Sequence, residues 1–269
     1  MGGQGFPHIF VINLKRSPTR RQDMSSRLDP LGVPYSFFDG VDGYTLDLGN
    51  LPDYDGKKRR RYFGRDLSPG EIGCLLSHRA VYQHMVDHDI PVAIVLEDDV
   101  FLAPAFPALI RDIMSMDVAW DMVRFLESKK VYKRSRILAD LSAGFKLGRP
   151  VTASGGAYGY MLTQKAAKAY LGQMKTNYVP VDTVHSYIWK TGVETLNVIP
   201  SPVVPDREIS STIGEARFDK TLGLSAVDRV LYAFTRPLLK VSEMLGKRCA
   251  YIASLPRDKE TRRRLGRNG

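Results

Sequence analysis

One short apolar segment, residues 92–96, constrains the fold of this chain more than any other feature. Its five residues (VAIVL) are apolar at every position, with no polar residue between them. A strand with this pattern is buried on both faces, which occurs mainly in sheets that helices cover on both sides. The sequence therefore predicts an α/β protein in which this segment is a central strand.

Further strands and helices alternate with this segment along residues 8–199. Apolar segments predict strands at 8–14, 33–38, 100–102, 121–126, 157–162 and 193–199. Start and stop signals predict helices at 18–29, 68–87, 105–116, 164–174 and 180–190. The clearest start is a capping box, Ser68-Pro69-Gly70-Glu71. This alternation predicts a mainly parallel central sheet flanked by helices, with irregular loops at 44–67 and 127–150.

Length and composition limit the class of protein. The 269 residues are 43% hydrophobic, which is enough for one substantial core. The longest apolar run spans residues 90–96, whereas a membrane-spanning helix needs about 20 residues. Residues 1–8 have neither a basic segment nor a long apolar stretch, so a secretory signal is not expected. Two cysteines cannot form a disulfide framework, which favours a cytoplasmic location.

The net charge of +10 lies mostly at the end of the chain. Residues 217–269 contain 13 Lys or Arg and 5 Asp or Glu, a net charge of +8, and residues 1–216 contain 26 and 24, a net charge of +2. A nucleic-acid enzyme more often spreads basic charge over its working face, so a nucleic-acid partner is not expected. We expect a nearly neutral catalytic domain at 1–216 and a basic tail at 217–269.

The basic tail has a helical pattern of apolar residues. Between residues 224 and 245 they recur at steps of three and four, which predicts one face of a helix pair that is broken or kinked at Pro237. The tail either packs on the body with solvated basic residues, or lies as an amphipathic segment on an anionic membrane surface. The end of the tail, including the arginines at 262–264, is expected to be disordered.

Three adjacent carboxylates follow the central strand: Glu97, Asp98 and Asp99. Ligands of open α/β sheets bind at the carboxyl ends of the strands. Adjacent carboxylates repel one another unless a cation or hydrogen-bond donors compensate, and a divalent cation with oxygen ligands suits them. A solvated acidic turn is the alternative, but the position after a buried strand favours a cation site.

Two other segments are candidates for ligand binding. Asn13 to Arg21 follow the first strand, where helix amides and guanidinium groups would suit a phosphate, although an ordinary capped surface helix is equally compatible. In the segment 70–78, two glycines early in a helix indicate close approach by another backbone or by a ligand. His78 is the most suggestive of the five histidines, but a lone helical histidine is more often structural.

Asp182 lies at the predicted start of the helix at 180–190. A carboxylate there is favoured by the helix dipole alone, which is the simpler explanation. If Asp182 acts as a general base, it has to face the same cleft as Asp99.

Taken in order, these segments resemble glycosyltransferase family 25, which includes bacterial lipooligosaccharide β-galactosyltransferases and collagen galactosyltransferases. The resemblance covers about residues 8–212 and is specific only as a combination of motifs. The matching motifs are Ile12-Asn13-Leu14-Lys15-Arg16-Ser17 with Arg20 and Arg21, Asp42-Gly43, Gly70 to His78, Leu96-Glu97-Asp98-Asp99, Gly156 to Leu162, and Pro180-Val181-Asp182.

The resemblance implies a GT-A-like nucleotide-sugar-binding fold and inverting transfer of a hexose, galactose by preference, from a UDP-sugar. The acceptor would be a lipooligosaccharide, lipopolysaccharide-core or other glycan hydroxyl, near the inner face of the cytoplasmic membrane. Asp99 and Glu97 would hold Mn²⁺ or Mg²⁺, in place of the usual DxD motif. Asp182 would be the general base, with Glu127 as second candidate. The expected donor-binding residues are Asn13, Leu14, Arg16, Arg20, Asp42, Gly43, Ser77, His78, Glu97 and Asp98.

Two other functions remain open at this point. The same carboxylates and basic segments suit a metal-dependent phosphoryl-transfer enzyme or nuclease, although the chain has no glycine-rich phosphate loop. The second open function is that of a non-catalytic, glycan-binding protein of the same fold, because the acidic motif departs from the DxD pattern.

Overall fold

The computed structural model describes residues 5–126, 128–151, 155–206 and 224–266. Within these residues the strands are β1 (His8–Asn13), β2 (Tyr35–Asp39), β3 (Val92–Glu97), β4 (Val100–Leu102), β5 (Met122–Arg124), β6 (Ser135–Asp140), β7 (Lys146–Pro150), β8 (Gly159–Thr163), β9 (Thr195–Ile199) and β10 (Val203–Pro205). The α-helices are α1 (Pro18–Leu28), α2 (Gly56–Phe63), α3 (Pro69–Asp87), α4 (Phe106–Ser115), α5 (Lys129–Lys133), α6 (Gln164–Gln173), α7 (Val181–Ser186), α8 (Ile188–Thr191), α9 (Ala226–Ala253) and α10 (Leu255–Arg264).

Eight of the strands form one sheet in the order β2-β1-β3-β8-β5-β9-β7-β6. β8 and β7 run opposite to the other six, so the prediction of a mainly parallel central sheet flanked by helices is confirmed. β4 does not extend the central strand within this sheet. It pairs with β10 in a separate two-stranded ribbon.

The hydrophobic core lies on both faces of the sheet, and β3 contributes to both. Its Ile94 and Leu96 pack in the cluster that includes α1 and α4 residues. Its Ala93 and Val95 pack in the cluster that includes α3 and α6 residues. This alternation explains why the segment 92–96 has no polar position.

The connections reverse direction at β1, which creates the cleft. From β1 the chain passes through α1 to β2 on one side, and later through α3 to β3 on the other side. α1 and α3 cover opposite faces of the sheet. The carboxyl ends of β1 and β3 therefore meet at a topological switch point, where Ile12 is paired in register with Glu97.

The capping box predicted at the start of α3 is present. The Ser68 hydroxyl accepts a hydrogen bond from the Glu71 amide, and the Glu71 carboxylate accepts one from the Ser68 amide. Arg65 donates to both Glu71 oxygens at 2.7 Å. Burial raises the pKa of Glu71, but the hydrogen bonds from Arg65 and Ser68 outweigh it and hold that pKa below its ordinary value. The start of α3 is thus fixed by a buried ion pair.

Two segments predicted to be irregular contain regular structure. Residues 44–67 include α2, although the run of basic residues at 57–61 suggests a solvated loop. The Asp55 side chain caps α2 by accepting a hydrogen bond from the Lys58 amide. Within α2, the Arg59 guanidinium stacks on the Phe63 ring. Residues 127–150 include β6 and β7, because the buried Arg149 on β7 is paired with Asp258 from the other end of the chain.

The C-terminal segment forms two helices that differ from the prediction. α9 continues through Pro237 as one helix, so the break expected there is wrong. The turn around Pro237 is held by its packing on α2, where Thr235 donates to the Arg61 carbonyl. The arginines at 262–264 are helical rather than disordered, since Arg262 donates to the Ile137 carbonyl and Arg264 pairs with Asp117.

α9 leaves an apolar stripe exposed. Its exposed apolar side chains are Val227, Val230, Phe234, Leu238, Val241, Met244, Leu245 and Ile252. They recur at helical spacing, so they lie along one face. No helix of the described residues has the length and apolar character needed to cross a membrane.

Candidate active site

An open cleft of about 660 Å³ lies at the switch point, between the carboxyl ends of β1 and β3 and the start of α3. Its walls include ten of the residues that the sequence singles out: Leu14, Arg16, Arg20, Asp42, Gly43, Ser77, His78, Glu97, Asp98 and Asp99. Asn13 lies beside it, buried at the end of β1. Ligands of open α/β sheets bind at such a switch point.

The three adjacent carboxylates have different surroundings. Asp98 is buried and neutralised, because Asn13 Nδ2 donates to it at 2.7 Å and Arg20 Nη1 at 3.1 Å. These contacts hold the start of the β1–α1 connection against the end of β3. Asp98 therefore has a positioning role in the structure.

Among the described residues, neither Asp99 nor Glu97 forms an arginine ion pair like the one between Asp98 and Arg20. Asp99 Oδ1 is buried with no hydrogen-bond partner among the described groups. Burial, and then the negative charges of Glu97 and Asp98, raise the pKa of Asp99 to about 7. These two carboxylates offer the hard oxygen ligands that Mn²⁺ and Mg²⁺ prefer, so they fit the predicted cation.

The charges around the cleft also favour a cation. Four carboxylates line it, from Asp42, Glu97, Asp98 and Asp99, against two guanidinium groups, from Arg16 and Arg20. Arg16 is paired with Asp42, and Arg20 with Asp98. Glu97 and Asp99 are therefore the pair that an added divalent cation would balance.

The two glycines that contact this wall are required by backbone packing. A Cβ on Gly43 would lie 1.8 Å from the Pro69 carbonyl oxygen, and one on Gly73 would lie 2.6 Å from the Val41 carbonyl oxygen. Ser77 holds the same contact, since its hydroxyl accepts from the Val41 amide at 2.8 Å. Of the two glycines predicted to allow close approach at the start of α3, Gly73 does so, and the neighbouring backbone is that of the 41–43 turn.

His78 ends a buried chain of hydrogen bonds that sequence reasoning missed. His78 Nδ1 lies 2.6 Å from the Tyr160 hydroxyl, which lies 2.7 Å from the Tyr82 hydroxyl. Tyr82 in turn lies 2.6 Å from His185 Nε2. Tyr160 is one of the two tyrosines of the 156–162 motif, but only the fold brings β8, α3 and α7 together.

Asp182 lies next to this cleft but does not line it. Its carboxylate accepts from the Gly156 amide at 3.4 Å and from the Thr183 hydroxyl at 3.3 Å. It faces a neighbouring pocket whose wall includes Arg236, Glu243 and Lys247 of α9. The structure thus separates it from Asp99. Glu127 lies outside the described residues.

Sequence comparison identifies the family. Residues 6–185, more than half of the chain, match the family model of "Glycosyltransferase family 25 (LPS biosynthesis protein)". The chain belongs to glycosyltransferase family 25. The resemblance found from the motifs is therefore confirmed.

The names of three curated relatives differ in the activity that they state. A "Glycosyltransferase 25 family member" of Aedes aegypti is 32% identical over 190 residues, which cover 66% of this chain and 30% of that protein. "Procollagen galactosyltransferase 1-A" of Xenopus laevis is 33% identical, over 44% of this chain and 21% of that protein. "Inactive glycosyltransferase 25 family member 3" of Homo sapiens is 32% identical, over 47% and 22%. The family 25 chain described here spans less than a third of the length of each.

Proposed function

We propose that this protein is a metal-dependent, inverting glycosyltransferase that transfers a hexose from a UDP-sugar to a glycan hydroxyl. The observation that carries the proposal is the switch-point cleft, where Glu97 and Asp99 lie together and the buried Asp99 Oδ1 has no hydrogen-bond partner among the described groups. Family membership supports transfer chemistry, and the procollagen galactosyltransferase relative supports galactose as the hexose.

Each group in the cleft has a distinct task in this proposal. Asp99 and Glu97 would hold Mn²⁺ or Mg²⁺, which would neutralise charge on the diphosphate. Arg16 and Arg20 would lie along the donor, kept in place by Asp42 and Asp98. Asn13 and Ser77 would act by fixing the two loops that form the walls. Leu14, Gly43 and His78 would complete the donor surface.

An inverting displacement also needs a base for the acceptor hydroxyl. We propose Asp182, although it lines a different pocket, because its negative charge contributes to the raised pKa of Cys74 in the cleft wall. Asp182→Asn should then reduce transfer by about 10²–10⁴-fold and leave UDP-sugar affinity nearly unchanged, measured by steady-state kinetics and calorimetry. Equal losses of donor affinity and turnover would instead assign Asp182 to donor binding.

UDP release from a panel of UDP-sugars, with and without Mn²⁺, tests the proposed reaction. We expect Mn²⁺-dependent release that is fastest with UDP-galactose and increases when a lipooligosaccharide or lipopolysaccharide-core glycan is added. Binding of UDP-sugars without release would favour the non-catalytic alternative, which the inactive human relative keeps open. Cleavage of a nucleic acid or phosphate ester with no UDP-sugar binding would favour phosphoryl transfer.

We also propose that α9 lies on an anionic membrane surface, near a lipid-linked acceptor. Its apolar stripe is exposed, with Phe234 and Leu238 about 70% accessible. Lys and Arg outnumber Asp and Glu on α9 by five to two, and Arg229, Lys240 and Arg248 are exposed. Apolar burial and electrostatic attraction together bind such helices to anionic lipids.

Vesicle sedimentation tests this surface without removing α10, which is packed on the body. Wild-type protein should bind anionic vesicles more tightly than neutral ones, and less tightly at high salt. Each of the substitutions Phe234→Ser and Leu238→Ser should weaken vesicle binding by about tenfold or more, so the variant that carries both combines the two effects. Its melting temperature should be unchanged. Equal vesicle binding by the folded variant and the wild type would contradict the membrane surface.

A further inference from the structure

Three side chains with different donor atoms meet on one wall of the cleft. Cys74 and His78 lie one turn apart on α3, and Glu97 lies at the end of β3. One ligand atom from each lies within 4.8 Å of the other two. Glu97 Oε1 is 3.9 Å from Cys74 Sγ and 3.6 Å from His78 Nε2.

These separations are those of ligands around a cation. Hydrogen bonds between nitrogen and oxygen span about 2.7–3.2 Å, so His78 and Glu97 are too far apart for one. Zn–N bonds of about 2.1 Å and Zn–S bonds of about 2.3 Å in a tetrahedron place neighbouring ligand atoms about 3.3–3.8 Å apart. The two separations from Glu97 Oε1, 3.6 Å and 3.9 Å, are thus close to those expected around bound zinc.

The hydrogen bonds of His78 prepare it for this role. His78 is fully buried, and its Nε2 has no hydrogen-bond partner among the described groups. Burial raises the pKa of Tyr160 and Tyr82 well above the ordinary value, so both remain phenols that can donate. Burial also lowers the pKa of His185 well below its ordinary value, so that ring is neutral. Such partners orient metal-binding histidines and fix their tautomer.

A chain of four neutral groups has two consistent orientations. When His185 accepts from Tyr82, the donors point from His78 towards His185, and the proton of His78 sits on Nδ1. The lone pair of Nε2 then faces the Glu97 carboxylate, and the two repel unless a cation lies between them. In the opposite orientation an Nε2 proton points towards Glu97 from beyond hydrogen-bond distance.

We propose that Cys74, His78 and Glu97 bind a divalent cation of borderline softness such as Zn²⁺, with a fourth position open to the cleft. Thiolate and imidazole ligands select such an ion over Mg²⁺. Binding would form the metal–sulfur bond as the S–H bond of Cys74 breaks, with that proton released to solvent.

This site overlaps the proposed Mn²⁺ or Mg²⁺ site, because both use Glu97, but its test does not depend on sugar transfer. It uses two ligands, Cys74 and His78, that the transfer mechanism does not need as ligands. Metal binding can be measured with no substrate present, so its failure and the failure of the transfer proposal are separate results.

Cobalt spectroscopy on the Cys249→Ser variant tests the site. The chain has two cysteines and Cys249 is exposed, so Cys74 is the single thiol left in this variant. Titration with Co²⁺ should produce a thiolate-to-metal charge-transfer band, and added Zn²⁺ should abolish it. Zn²⁺ should also protect Cys74 from alkylation by iodoacetamide. Tyr160→Phe in the same background should keep the band and weaken Zn²⁺ affinity by about 10–100-fold.

Two results would overturn the proposal. The first is a folded Cys249→Ser protein that shows no thiolate band at saturating Co²⁺, in which case Cys74, His78 and Glu97 are neighbours that hold no metal together. The second is alkylation of Cys74 that saturating Zn²⁺ does not slow in the folded Cys249→Ser protein, which would place the metal elsewhere.

Discussion

The carboxylates of Asp99 and Asp258 are both largely buried, but the charges around them have opposite signs. Asp258 on α10 is almost fully buried, and it accepts hydrogen bonds from Arg136 and from Arg149 at 2.9–3.1 Å. Asp99 at the cleft has an unpartnered oxygen and two neighbouring negative charges. The first holds the C-terminal helix on the sheet. The buried charge of Asp99 lowers the stability of the folded protein unless a ligand supplies positive charge. This indicates that Asp99 is a binding group.

The largest expected effect comes from removing the uncompensated charge. Asp99→Asn should reduce cation-dependent UDP release by about 10³-fold or more, because a metal ligand contributes several kcal/mol to the transition state. The free energy of unfolding without metal should stay unchanged or increase at neutral pH, since the substitution removes like-charge repulsion. Coupled kinetics and urea denaturation measure the two quantities. A marked loss of stability would mean that Asp99 is a structural group like Asp258.

The second effect concerns the compensated charge. Asp258→Asn should lower the free energy of unfolding by about 3–5 kcal/mol, because the buried Arg136 would lose its counter-charge and Arg149 would keep only Glu194. Glu260→Gln on the same helix is the matched control, since its exposed pairs with Arg263 and Arg264 should contribute little to stability. Equal effects of the two substitutions, measured by chemical denaturation, would contradict the role given to Asp258.

The smallest effect concerns pH. The pKa of Glu71 lies below 4.5, its ordinary value, so its ion pair with Arg65 stabilises the protein above that pH. This stabilisation should be lost as pH falls further, through the lowered pKa. Glu71→Gln should therefore have a smaller fall in melting temperature between pH 5 and about pH 3 than the wild type. Parallel curves for the two proteins would show that another carboxylate is responsible.

Sequence patterns predict the parts of this molecule that depend on neighbouring residues. The capping box at Ser68 and the apolar segment 92–96 are of this kind, and both are present. The acidic triplet and the β1–α1 segment also meet, because the carboxyl ends of β1 and β3 are adjacent.

Contacts between distant parts of the chain limit the prediction. Asp98 differs from Asp99 because of Asn13 and Arg20, which lie 85 and 78 residues away. β7 is a buried strand with an arginine because Asp258, 109 residues later, neutralises it. Neither partner is visible in the local pattern, so the sequence predicts a loop at 127–150 and gives no sign that Asp98 is paired with Asn13 and Arg20.

A crystal structure of the protein soaked with UDP and Mn²⁺ tests the central claim most directly, because the anomalous signal of manganese locates the cation. The account predicts manganese bound to Asp99 and Glu97, with the diphosphate of UDP in the cleft beside Arg16 and Arg20. UDP bound outside this cleft, or an ordered cleft in which Asp99 makes no contact with manganese at saturating concentration, would contradict it.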